Sequence, residues 1–265
     1  MSGKNQSIET SRVQLWSIGG GRQSVLMLGL IRKGLLPRPD HAVMVDTNRE
    51  RSSTWAYFAR VFEPELAAMG IPFTLVDRSK YSTVDLWSGA DGDSCVLPAF
   101  TDRDGEGKLP EFCSNEWKRR CAMRWAAEQP GWKDRGVDCW LGITTEEKHR
   151  RRGPSMQWWH ATFPLLDVCP SHVSRVYDLC AEFGWPDPPR SCCWMCPNMS
   201  NEEWRDLRDN YPEDFSKAVA LDREIYLKDG NIYLHSSRVP LALADLGQPD
   251  KPGLFGGGCS SGMCY

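Results

Sequence analysis

Residues Ser17-Ile18-Gly19-Gly20-Gly21-Arg22-Gln23-Ser24 lie between the apolar run Val13 to Trp16 and the amphipathic stretch Val25 to Ile31, a pattern that places a glycine-rich turn between a strand and a helix. Three successive glycines let the backbone approach a ligand closely, and the following helix N-terminus offers unpaired N–H groups with partial positive charge. With the hydroxyls of Ser17 and Ser24 alongside, the turn suits a phosphate. A Walker-type loop is excluded, because Gln23 and not lysine precedes Ser24. A dinucleotide fingerprint stays open, since the next apolar run, His41 to Val45, ends at an acidic residue, Asp46.

The segments that follow alternate in type. Helix Gln23 to Arg32, strand Ala42 to Val45, helix Ser53 to Met69 stopped by Gly70-Ile71-Pro72, and strand Phe73 to Val76 follow strand Val13 to Trp16. This order predicts an α/β fold with an open, mostly parallel twisted sheet and helices on both faces. In such sheets ligands bind beyond the strand carboxyl ends, so Gly19 to Gly21 and Asp46-Thr47 are expected to meet there. A helix from Glu116 to about Gln129, capped by Ser114 or Asn115, leads to a strand over Val137 to Leu141 that ends at Gly142. Phe163 to Asp167 reads as extended, and helices are expected over His172 to Phe183, Asn201 to Asp209 and Pro212 to Leu227. Two units follow: residues 1–170 as a nucleotide-binding domain with an insertion near 81–110, and 171–265 as a helical, cysteine-bearing lobe with a mobile tail.

A chain of 265 residues with net charge −3 gives no global reason to bind a polyanion. Two local basic runs exist, Lys118-Arg119-Arg120 with Arg124, and Lys148-His149-Arg150-Arg151-Arg152. No window is apolar enough for a membrane span, and Met1 to Arg12 is too polar for a signal peptide, so a cytoplasmic location is expected. There the eleven cysteines read as thiols, metal ligands or redox groups rather than structural disulfides. Cys193 and Cys196, in a CxxC turn, are the strongest metal signal. If its helix is continuous, Cys121 lies about 12 Å along the axis from Cys113, too far for a shared site. Cys192, Cys259 and Cys264 remain as further donors, the last two swivelled by Gly256-Gly257-Gly258. Cys95, Cys139, Cys169 and Cys180 read as small buried apolar groups, and Trp158-Trp159, Trp185 and Trp194 as packing groups.

The pattern SxGGGxxS followed by a strand ending in Asp46-Thr47 resembles the pyrophosphate loop of the adenine nucleotide α-hydrolase (PP-loop) superfamily. Five segments match in order: Ser17 to Ser24, Asp46-Thr47 with Thr54, Cys113 before Glu116 to Arg120, Gly142 leading into Glu146 to Arg152, and Cys193-Trp194-Met195-Cys196. Together they look like the branch of phosphoadenosine phosphosulfate reductases and the related phage and DNA-sulfur-modification proteins. The third glycine, and the lack of the reductases' glutamate-cysteine-glycine tail motif, set the chain apart from true reductases.

The resemblance implies that Ser17, Gly19, Gly20, Gly21, Gln23, Ser24, Asp46, Thr47 and Gly142 hold ATP or an adenylyl sulfate, with Mg²⁺ or Arg150 stabilising the phosphates. It implies Lys118, Arg119 and Arg151 as anion holders, and Cys113, Cys193, Cys196 and Cys264 as ligands of a [4Fe-4S] cluster, with zinc as the alternative and Cys259 as a reactive thiol. The activities it allows are ATP-dependent sulfur transfer to a nucleic acid (tRNA or DNA), reduction of an adenylyl sulfate through a tail cysteine, or nucleotide binding by a zinc-clamped module. A sulfur-donor protein and a second copy of the chain are the protein partners it allows.

Overall fold

The computed structural model describes residues 11–88, 94–103, 107–152 and 156–247. Five parallel strands form the central sheet: β1 (Val13–Ser17), β2 (His41–Asp46), β3 (Phe73–Asp77), β4 (Val137–Trp140) and β5 (Trp159–Thr162), in the order β3-β2-β1-β4-β5. The chain runs outward from β1 through β2 to β3, then returns to the other side of β1. The carboxyl ends of β1 and β4 therefore flank the switch point, where the crossover loops part and leave a crevice.

Side chains alternate across the sheet as a period of two requires. Trp16, Ala42 and Met44 pack on one face with α1 (Arg22–Arg32), the helix pair α2 (Ser52–Tyr57) and α3 (Glu63–Ala68), and α7 (Arg175–Phe183), named in chain order. Val13, Leu15, Val43 and Val45 face the opposite way, onto α4 (Arg120–Glu128), which the short α5 (Trp132–Arg135) follows. Every residue of α1 from Ser24 to Ile31 is buried. A Cβ on Gly29 would stand 2.7 Å from Leu179 Cδ1, so the missing side chain is what lets α7 lie directly on α1.

The expected helix over 53–69 is broken by a π turn, Phe58–Phe62, immediately ahead of Pro64. Proline has no N–H for the residue four back and its ring crowds that carbonyl, and the wider turn relieves both. A second π turn, Asn115–Arg119, precedes α4. Its helical hydrogen bonds begin earlier than anticipated, with Glu116 N–H donating to the Phe112 carbonyl at 3.0 Å. Ser114 is thus inside the helix, its hydroxyl on Glu111, and neither Ser114 nor Asn115 is the cap. Phe163 to Asp167 is not extended. The strand there is β5, which ends one residue earlier, and Pro164–Asp167 forms a helical turn, α6, with proline in its first turn, where no N–H is needed.

A second core lies beyond this sheet. Trp87–Ser88 pairs with Ser94–Cys95, and Phe100–Thr101 pairs with both Gly107–Lys108 and Ile232–Tyr233. These short strands join α8 (Asn201–Asn210) and α9 (Pro212–Lys228) around Trp117, Trp194 and Trp204. The described part of the insertion packs with the C-terminal helices. No helix among the described residues is long and apolar enough to cross a membrane.

Candidate functional site

The glycine turn sits where the strand order places it. Gly19 N–H donates to Ser24 Oγ at 2.9 Å, and Ser24 is buried, so this hydroxyl closes the turn from inside rather than facing a ligand. Gly20 has φ +74°, and a Cβ there would lie 2.6 Å from Thr54 Cγ2. The first turn of α1 has neither a side-chain cap nor an acidic residue. Its leading N–H groups have no intrahelical acceptor and suit an outside anion.

The loop after β4 closes on the same helix end. A Cβ on Gly142 would stand 2.9 Å from Gln23 Cβ, so glycine is what allows this approach. Gln23 Nε2 donates to Glu147 Oε2 at 3.1 Å, and Glu147 Oε1 accepts from Arg150 Nη1. Arg150 is 7% exposed, yet its Nε and Nη2 are buried with no hydrogen-bond partner among the described residues. Buried donors left unmade carry a desolvation penalty, larger for charged groups. An oxyanion has the acceptor chemistry that would meet them.

Across β1, the β2 end is acidic. Asp46 accepts the Asn48 N–H at 2.7 Å, and burial, against that hydrogen bond, holds its pKa above the ordinary value. Thr47 is fully buried, donating to Glu50 Oε1 at 3.4 Å with Cys193 Sγ at 3.9 Å. Lys118 Nζ meets Glu50 Oε1 at 2.8 Å, and the Glu50 side chain is wholly buried, with Oε2 unpartnered. Burial by itself would lower the Lys118 pKa, but Glu50 and the neighbouring thiols outweigh it and hold the ammonium charged. Lys118, expected to hold a second anion, is committed inside the fold. Arg119 binds Asn115 Oδ1 at 2.7 Å, Arg120 pairs with Glu116 at 2.6 Å and Arg124 bonds the Tyr81 carbonyl. Arg151 forks onto Asp167 at 2.9 and 3.0 Å.

The CxxC segment is a strap laid over these loops. Cys193 bridges Glu50 in antiparallel fashion, and Trp194 N–H donates to the Arg49 carbonyl at 3.0 Å. Cys113 packs into the same second core as Cys192, Cys193 and Cys196, whereas Cys121 lies in the core on the far side of the sheet, away from them. Burial raises the pKa of Cys113, Cys193 and Cys196, and nearby negative charge raises it further: Glu111 and Cys193 at Cys113, Glu50 and Cys196 at Cys193, and Cys192 and Cys113 at Cys196. Lys118 opposes the rise at Cys113 and Cys193, and Arg190 at Cys196.

Among the described residues, no three His, Cys, Asp or Glu side chains converge on a single metal ion. Thiolates around one zinc crowd to about 2.3 Å from it. A cubane takes its thiolates at separate irons and so accepts wider spacing, and the buried sulfur donors with adjacent cations suit that anionic group. Cys259 and Cys264 lie outside the described residues. Of the cysteines read as buried apolar groups, Cys95, Cys139 and Cys180 are buried, but Cys169 is only partly so and receives Arg175 Nη1 at 3.4 Å. Trp159 and Trp194 are buried, and Trp185 packs on Phe183 at 4.8 Å between ring centroids.

Three residues of the site escape sequence reading. Glu50, Glu147 and Ser191 carry no motif of their own, and each matters through a partner distant in the chain: Lys118, Gln23 and Gly19 respectively. Glu147 lies just ahead of the basic run Lys148 to Arg152.

Fold and site together define an open parallel α/β protein with a glycine turn and an uncapped helix N-terminus at its switch point, and a cysteine strap across them. No family model matches the chain, and no curated protein does. Among solved structures it is similar to the U34-tRNA thiolase NcsA from Methanococcus maripaludis with its [4Fe-4S] cluster, at 13% identity over 84% of this chain and 74% of that one, with a TM-score of 0.42. A likeness that distant transfers no residue role.

Proposed function

We propose that the chain binds the phosphates of ATP across the glycine turn and couples their cleavage to sulfur transfer onto a nucleic acid, in the manner of PP-loop enzymes. Arg150 is the observation that carries this reading: a buried guanidinium with two unmet nitrogens, tied through Glu147 to the first turn of a helix that has no cap. That is an anion site assembled in advance, and preorganised donors of this kind stabilise charge that develops on a leaving group. As an acceptor oxygen attacks the α-phosphorus, the bond to pyrophosphate breaks, and a sulfur nucleophile then displaces AMP from the adenylated acceptor. Arg150 and the N–H groups of Gly20 to Gln23 take up the negative charge of the departing diphosphate. Asp46 is assigned to the ribose or to Mg²⁺.

Cys113, Cys193 and Cys196 are the residues assigned to an iron–sulfur cluster, with Lys118 and Arg190 offsetting its charge. Cys264, outside the described residues, remains the assigned fourth ligand, and a [4Fe-4S] group held there would supply iron and sulfur for the transfer chemistry. Titration calorimetry of Mg·ATP into the wild type and Arg150→Met tests the nucleotide reading. Loss of charge-assisted hydrogen bonds worth about 1.5–3 kcal/mol predicts binding weakened roughly 10- to 150-fold. Equal affinity in the two proteins would remove Arg150 from the site.

A further inference from the structure

The cysteine strap and the glycine turn touch, and the contact is close enough to transmit a displacement. Ser191, two residues before Cys193, donates its hydroxyl to the Gly19 carbonyl. Its backbone N would lie 2.7 Å from a Cβ on Gly21, so the strap lies against the turn at the one position where the lack of a side chain permits it. Two residues on, Cys193 and Trp194 are stitched to Glu50 and Arg49 in the loop after β2. On its other side the strap is tied down by Arg190, which pairs with Glu203, the N3 member of the capping box that starts α8. One short segment thus spans both loops of the cradle, and a group that fixes Cys193 and Cys196 also fixes Ser191 against Gly19 to Gly21.

We infer that Ser191 is a positioning residue through which the occupant of Cys193 and Cys196 sets the nucleotide affinity of the glycine turn. The inference rests on the nucleotide and cluster reading above and adds a coupling between its two sites. By linkage the effect is reciprocal: nucleotide raises the affinity of the cysteines for their occupant by the same factor. The strap held in place keeps the Ser191 hydroxyl on Gly19 and the turn in its binding shape. Released, the turn must first be ordered by the nucleotide itself, and that cost appears as weaker binding.

The test uses the full chain, reconstituted anaerobically with iron and sulfide, beside the same protein stripped by chelator. Mg·ATP affinity is measured calorimetrically in both states for the wild type, Ser191→Ala and Ser191→Thr. The wild type is expected to bind at least about fivefold more tightly when loaded, the lower end of common allosteric couplings. In Ser191→Ala the ratio should fall toward one with iron content unchanged, and Ser191→Thr, which keeps the hydroxyl, should restore it. Equal affinity in loaded and stripped wild type overturns the coupling alone. An unchanged ratio in Ser191→Ala overturns the role of Ser191. Failure to take up iron, or to bind nucleotide in either state, overturns the underlying reading and the coupling with it.

Discussion

Residues 118–124 and 148–152 are two short runs of lysine and arginine that read alike in the sequence, and the fold uses them in opposite ways. In the first, every cation meets an acceptor: Lys118 has Glu50, Arg119 has Asn115, Arg120 has Glu116 and Arg124 has the Tyr81 carbonyl. In the second, Arg150 is as buried as any of these but only Nη1 is bonded, to Glu147 from its own turn. The difference lies in what arrives from elsewhere. The loop after β2 delivers a carboxylate to Lys118, whereas Arg150 is met by Glu147 of its own turn, which also holds Gln23 at the start of α1. A count of charges cannot separate a cation satisfied by the fold from one with unmet donors; only its surroundings can.

Substitutions in the two runs should therefore diverge. Lys118→Ala is expected to do most harm, since it leaves Glu50 buried and unpaired with an already orphaned Oε2. Breaking a buried pair by removing one member costs about 3–5 kcal/mol, readable from urea unfolding. A loss below about 1 kcal/mol, the scale of solvated pairs, would erase the contrast. Arg150→Met should cost less: Glu147 loses this partner but keeps Gln23 and Thr144, and two unmet buried donors are gone, so without nucleotide stability should stay within about 1 kcal/mol of wild type. Marked destabilisation would mean that Arg150 serves the fold as Lys118 does. Arg151→Ala should change least, by about 0.5 kcal/mol or less, since its pair with Asp167 is half exposed on both sides. If thermal unfolding in low salt shows a larger loss, the second run has a structural part beyond Arg150.

The same logic separates what the sequence discloses from what it hides. The turn between β1 and α1, the strand ending at Asp46 and the glycine after β4 are legible because each is written in consecutive residues whose φ/ψ and periodicity needs are local. The CxxC strap is legible as chemistry, but its seat on Gly21 is not. That contact joins residues 170 apart in number, and nothing near Ser191 announces it. β5 escapes notice because Trp159 to Thr162 is a four-residue edge strand with only Trp159 buried, too short for a period of two to show. The helical turn after it is hidden by Pro164, which reads as a breaker although it also suits a helix start. Lys118 misleads for a physical reason: the glutamate that binds it is supplied by the fold, 68 positions away.

The most direct test of the central claim is a crystal structure of the protein with Mg²⁺ and a non-hydrolysable ATP analogue. The account predicts phosphate oxygens within hydrogen-bond reach of the N–H groups of Gly20 to Gln23 and of Arg150 Nε or Nη2. An analogue bound elsewhere, or bound with Arg150 still lacking an acceptor, would contradict it.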